Sequence, residues 1–217
     1  MLTGGPARGS SARDVAQIAA QLLDVLLATH AHGVIHHDIK PDNLFLTCTG
    51  QLKLLDFGIA SLHGELAQHV RALHATTLGT PAFMAHEQAR GRWAEVDERS
   101  DLWSVGATMF ALLTGESVHA AETRNEQLAR AMRVPARAIG GLRPDLPPAF
   151  AEVIDRALSF EREQRWPNAR SMAQALRDAV QELAGCEPLA RRGRSPAFGS
   201  SAVRALRGRS GQHSTLA

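Results

Sequence analysis

Only one place in the chain reads as a pair of strands. Asn43 to Thr47 and Gln51 to Leu55 are short apolar runs separated by a Thr49-Gly50 turn signal, which predicts a small β-hairpin. The other periodic segments repeat with the helical spacing. Val15, Ile18, Ala19, Leu22, Leu23 and Leu26 form an apolar stripe behind the capping pair Ser11 and Asp14, and Gly33 supplies the stop. Asp101 to Leu113 is apolar enough to be buried on all sides and stops at Gly115. Glu122 to Arg133 is amphipathic and mostly polar. Phe150, Val153, Ile154, Ala157 and Leu158 mark a helix behind Pro147-Pro148. Met172, Leu176, Ala179, Val180 and Leu183 mark the last helix, opened by Pro167 and closed by Gly185. Ile59 to Met84 has no clear period and reads as a long surface loop. The expectation is a mainly α fold with one hairpin over residues 11–185. A loose lead-in (residues 1–10) precedes it, and an Arg/Gly/Ser-rich disordered tail (186–217) follows.

The hairpin joins two polar clusters. Before it lies His36-His37-Asp38-Ile39-Lys40-Pro41-Asp42-Asn43, and after it Asp56-Phe57-Gly58. Phosphoryl transfer from a nucleotide needs a carboxylate to orient the attacking hydroxyl, oxygen ligands for Mg²⁺, and a cation to offset phosphate charge. Asp38 suits the first role, Asn43 and Asp56 the second, and Lys40 the third. Asn43 begins one strand and Asp56 follows the other, so the turn returns both to one end. Gly58 permits a sharp reversal after Asp56. The chain has two lysines, Lys40 and Lys53, so a role that demands lysine has few candidates. Lys53, within the second strand, reads as solvent-facing.

These residues resemble the eukaryotic-like protein kinases of bacteria. His36, Asp38 and Asn43 match H-x-D-x-x-x-x-N, and Asp56, Phe57 and Gly58 match D-F-G. Gly79-Thr80-Pro81 leads to Ala85-His86-Glu87, similar to A-P-E with histidine for proline. Asp101 opens a segment similar to the family's long buried helix, and Arg165 resembles the late arginine that pairs with the A-P-E glutamate, here Glu87. The resemblance implies the C-terminal lobe of a protein kinase, with ATP and Mg²⁺ as cofactors and a protein bearing Ser or Thr as substrate. Thr80 would be the tie to Asp38 and Lys40 in the peptide-binding loop. Lysine two residues after the aspartate is the serine/threonine-kinase mark. Aminoglycoside-type phosphotransferases share the H-x-D loop but usually lack D-F-G and A-P-E.

Three departures qualify the resemblance. About ten residues precede the first helix, with no G-x-G-x-x-G loop or strand lysine, so a C-lobe without the ATP-gripping N-lobe is expected. Such a chain is expected to be inactive or very weak by itself unless an upstream segment supplies that lobe, and a peptide-docking remnant is the alternative. His37 stands where regulated kinases carry arginine, and a histidine pairs poorly with a phosphorylated loop residue near Thr76 and Thr77. His86 is expected to matter little, because Glu87 has the structural partner. His63, His69 and His74 are too irregularly spaced for zinc and read as a solvated loop.

Composition narrows the classes further. Lys and Arg number 24 against 22 Asp and Glu, a net charge of +2 that argues against a whole-protein nucleic-acid surface. Asp24 and Gln21 interrupt the best apolar window, so no membrane span is expected. Met1 to Ser11 has no signal-peptide core. Cys48 and Cys186 are far apart and read as reduced thiols, consistent with a cytoplasmic protein.

Overall fold

The computed structural model describes residues 10–56 and 79–186. Phe57, Gly58, the three loop histidines, Thr76, Thr77 and the arginine-rich tail lie outside the described residues. Six helices and one hairpin make up the described part: α1 (Ala12–Ala31), β1 (Leu44–Leu46), β2 (Leu52–Leu54), α2 (His86–Ala89), α3 (Glu98–Thr114), α4 (Arg124–Ala131), α5 (Pro148–Ala157) and α6 (Ala169–Cys186). No helix among the described residues is long and apolar enough to cross a membrane.

Helix α1 begins where the sequence places it. Ser11 caps it by accepting the Asp14 N–H at 3.1 Å, and its stripe from Val15 to Leu26 is buried. It ends in a Schellman turn: Gly33, at φ 71°, donates to the His30 carbonyl and Val34 to the Thr29 carbonyl. Ser10, just ahead of the cap, is buried and donates its N–H to the Leu112 carbonyl.

Helix α3 is the centre of the core. Asp97 caps it, Gly115 at φ 76° ends it, and nearly every residue from Ser100 to Leu113 is buried. Gly106 lets α5 approach closely, since a β-carbon there would lie 2.9 Å from Ala157 Cβ. Helices α1 and α6 pack together, α5 lies between α3 and α6, and α4 is peripheral with only Ala131 buried.

The hairpin is antiparallel, with Leu44 opposite Leu54, Phe45 opposite Lys53 and Leu46 opposite Leu52. Leu44, Leu52 and Leu54 face the core, while Phe45 and Lys53 face out. A two-stranded ribbon is marginal alone. Gln21 of α1 holds this one, accepting the Leu52 N–H at 2.9 Å and donating to the Gly50 carbonyl at 3.2 Å.

Three sequence expectations change. Gly185 does not close α6, which continues to Cys186; glycine near a helix end costs only about 1 kcal/mol relative to alanine. Asn168 rather than Pro167 starts that helix, accepting the Ser171 N–H at 2.9 Å. The stretch read as a surface loop ends inside the protein, because Pro81, Ala82 and Met84 are buried in and beside the single turn Pro81–Phe83.

Candidate active site

Two buried acids on or beside α3 organise the site. Asp101, in the first turn of α3, is 0% exposed. Its Oδ2 accepts the His36 N–H and its Oδ1 the His37 N–H, each at 2.9 Å. His30 at the end of α1 adds a 2.9 Å contact from Nε2 to the same carboxylate. The loop that carries Asp38 is therefore clamped to the core helix through its own backbone. This clamp matters because His37 is held at φ 69°, a left-handed conformation that costs a non-glycine residue about 1–2 kcal/mol. Gln88 of α2 closes the other side, donating to the His37 carbonyl at 3.0 Å.

His36 fixes the loop to the hairpin. The Asp38 N–H donates to His36 Nδ1 at 3.3 Å, so Nδ1 is the acceptor nitrogen and Nε2 carries the proton that meets the Leu55 carbonyl at 3.1 Å. The Leu55 N–H in turn donates to the Asn43 carbonyl at 2.8 Å. Asn43 and the residue after Leu55, Asp56, are thereby kept at one end of the hairpin. Asp56 sits at φ 67° with its side chain exposed.

Four side chains converge here. Lys40 Nζ donates to Asp38 Oδ2 at 2.7 Å and to Thr80 Oγ1 at 3.0 Å. Asn43 Nδ2 donates to the Asp38 carbonyl at 2.7 Å and to Asp38 Oδ2 at 3.2 Å. Both donors engage Oδ2, which leaves Asp38 Oδ1 for another hydroxyl. That oxygen faces Gly79, where a β-carbon would stand 3.7 Å away. Gly79 is at φ 85°, a backbone conformation that favours glycine there.

The donor set suits a hard divalent cation. The Asn43 amide nitrogen is committed to Asp38, which leaves its oxygen for a metal. The Asp56 carboxylate is exposed and has no hydrogen bond or ion pair among the described residues. Mg²⁺ binds through one or two protein oxygens together with substrate phosphates, and these two residues could hold it in that way. Among the described residues no cluster of three or more His, Cys, Asp or Glu is placed to hold a metal. Beside this end of the hairpin Phe45 and Leu55 are each 47% exposed, an apolar surface next to the candidate ligands.

The second buried acid, Glu87 of α2, meets Arg165 in a two-pronged ion pair of 2.8 and 2.9 Å, and Ser100 of α3 donates to it at 2.5 Å. Burial pushes the Glu87 carboxyl up, but Arg165 and Ser100 outweigh it and hold it below its ordinary value. His86 does more than the sequence suggests. It is buried, stacks on Phe160 with ring centres 4.3 Å apart, and lies with Nδ1 3.1 Å from Arg165 Nη2. Burial pushes it below its ordinary value; Glu87 opposes that, while Arg165 and Arg90 reinforce it.

Sequence reasoning missed His30, Gln21, Gln88 and Ser100. Each acts on a partner at least 13 residues away, and no local spacing marks it.

Residues 6–183 match the family model described as protein kinase domain. The chain is 36% identical over 149 residues to tyrosine-protein kinase MasK of Myxococcus xanthus, covering 69% of this chain and 22% of the relative. It is 36% identical over 173 residues to serine/threonine-protein kinase Pkn1 of Myxococcus xanthus, with coverages of 77% and 24%. Against serine/threonine-protein kinase PknK of Mycobacterium tuberculosis it is 36% identical over 169 residues, with coverages of 76% and 14%. The matches thus span 14–24% of these curated relatives' length.

Proposed function

Because the chain belongs to the protein kinase family, we propose that it transfers the γ-phosphoryl group of ATP to serine or threonine hydroxyls of a protein substrate. The observation that carries this reading is the convergence of Lys40, Asn43 and Thr80 on Asp38. Asp38 Oδ1 orients the substrate hydroxyl and accepts its proton as the oxygen attacks phosphorus. Lys40, held between Asp38 and Thr80, offsets charge on the transferred group. Thr80 sets the height of the peptide-binding loop against that lysine. Asn43 and Asp56 would hold Mg²⁺, which would supply charge neutralisation at the phosphates. Asp101, His36, Glu87 and Arg165 position these groups through the backbone and the core. Several relatives are serine/threonine kinases and one is a tyrosine kinase; Lys40 favours the former class for this chain.

The proposal extends to the polypeptide as it stands. Its 217 residues contain no G-x-G-x-x-G loop followed by a strand lysine, and Phe45 and Leu55 are open to solvent beside the metal ligands. Phosphoryl transfer is mostly positioning and electrostatics, so half of a phosphate clamp leaves most of the rate unrealised. The 217-residue polypeptide therefore binds Mg·ATP weakly, and a lobe supplying the loop and lysine completes the site. The test is transfer from radiolabelled ATP to a mixed Ser/Thr/Tyr peptide pool, with phosphoamino-acid analysis, for the polypeptide alone and fused to such a lobe. The fused form should label Ser and Thr and lose about 10²–10⁴-fold in kcat on Asp38→Asn. Tyrosine labelling would overturn the acceptor class. Activity indifferent to Asp38 would overturn the mechanism.

A further inference from the structure

We infer that Arg124 selects an anionic side chain on the substrate close to the hydroxyl that is phosphorylated. The inference rests on the reading of Asp38 as the residue that meets that hydroxyl. Arg124 is the first residue of α4, where free backbone N–H groups already give the helix end a positive partial charge. A cation is unfavourable there, so α4 gains nothing from it. Glu126, the acid of the same turn, does not compensate, because it pairs with Arg130 at 2.7 Å. Arg130, Arg137 and Arg143 have carboxylate partners, whereas Arg124, like Arg133, has none among the described residues; what sets Arg124 apart is its contact with the loop beside Asp38.

What Arg124 does contact is the reactive centre's wall. Its Nη2 donates to the Gly79 carbonyl at 3.1 Å, and a β-carbon on Gly79 would stand 3.7 Å from Asp38 Oδ1. Followed through Gly79, the guanidinium lies within ~11 Å of that oxygen, the span of about three extended residues. The side chain is exposed, and one of its five N–H groups is used. The others form the planar fork that matches a carboxylate or a phosphate. Asp42, exposed on the turn between Lys40 and Asn43, is an acid within the same loop and opposes a general attraction of anions.

The test is fluorescence anisotropy of dye-labelled peptides on the purified chain, which requires no phosphoryl transfer. Each peptide has one Ser among small residues, with Glu, phosphoserine, Gln or Lys placed singly from three residues before it to three after. At one position Glu or phosphoserine should bind about five-fold tighter than Gln; comparing the two tells a carboxylate site from a phosphate site. Arg124→Gln should abolish the difference, and Arg124→Glu should reverse it in favour of Lys. Arg177→Gln, on the exposed face of α6, should leave it intact. Absence of binding, equal binding of all peptides, or a preference that survives Arg124→Gln would each overturn the inference. Radiolabel transfer by the lobe-completed form is measured separately. Its failure with the charge preference intact would reject the catalytic reading and keep the anion site.

Discussion

Arg165→Ala should be among the most damaging single changes in the described fold. Arg165 is 1% exposed and Glu87 0%. The guanidinium donates to both Glu87 oxygens and to the carbonyls of Ser159, Phe160 and Arg99. Truncation leaves a buried carboxylate with Ser100 and the His86 ring, whose Nδ1 is 3.2 Å from Oε2, as its side-chain neighbours, and three carbonyls without this partner. Removing one member of a buried pair costs about 3–5 kcal/mol. For a chain of this size each kcal/mol moves Tm by about 2–4 °C, so a fall of roughly 6–20 °C is expected in a thermal melt. Arg177→Ala is the control, since that residue is exposed and, among the described residues, bonds Gln174 alone; its effect should stay within about 0.5 kcal/mol. Adding Glu87→Gln to Arg165→Ala should recover part of the loss, because the stranded charge is gone. Equal melts for Arg165→Ala and Arg177→Ala, or strict additivity in the double variant, would refute the reasoning.

Acid should weaken the fold in two steps. His86 and His119 are held below the ordinary histidine value of 6.5 by burial, so the unfolded chain binds protons that the folded chain refuses; stability is full above about 6.5 and declines as pH falls below it. Glu87, held below 4.5, contributes stability above that pH and loses it as pH falls through its folded value. Tm should therefore drop between pH 7 and 5.5, and His86→Asn, which keeps an acceptor but cannot titrate, should reduce that drop. Gly106→Ala should lower Tm by a few degrees, because a 2.9 Å approach to Ala157 Cβ costs about 1–3 kcal/mol against about 1 kcal/mol gained in helix propensity. Asp101→Asn leaves one of two loop N–H groups facing an amide donor, at a cost of about 1–3 kcal/mol, and should speed hydrogen exchange at His36 and His37.

The fold was legible wherever a local signal decides the outcome. Ser11 and Asp14, the stripe from Val15 to Leu26, the Gly33 and Gly115 stops and the hairpin all stand within a residue or two of their expected places. Signals that depend on distant partners were not legible. Nothing near Gln21 says that it holds the hairpin, and nothing near His86 says that Phe160 and Arg165 lie against it. Proline before a helix was over-read, because Asn168 provides the actual cap. The clustering of Asp38, Lys40, Asn43 and Thr80 followed from motif order, but the choice of oxygen did not. That Oδ2 takes both donors and Oδ1 remains is a matter of rotamers.

The least legible feature explains why the helical core and the site cannot be considered apart. His37 and Asp56 are the non-glycine residues with positive φ among those described, and they flank the candidate chemistry on either side. Each conformation costs on the order of 1–3 kcal/mol and persists only where surroundings over-determine it. For His37 those surroundings are Asp101 on α3 and Gln88 on α2, which hold its N–H and its carbonyl. For Asp56 they are the two bonds of Leu55, whose N–H donates to the Asn43 carbonyl and whose carbonyl accepts from His36 Nε2. His36 itself returns to Asp101 through its N–H. One carboxylate on the buried helix is thus common to both restraints, and the long apolar run that follows Asp101 is what keeps that carboxylate in place. A strained loop of this kind could not be maintained by the hairpin alone.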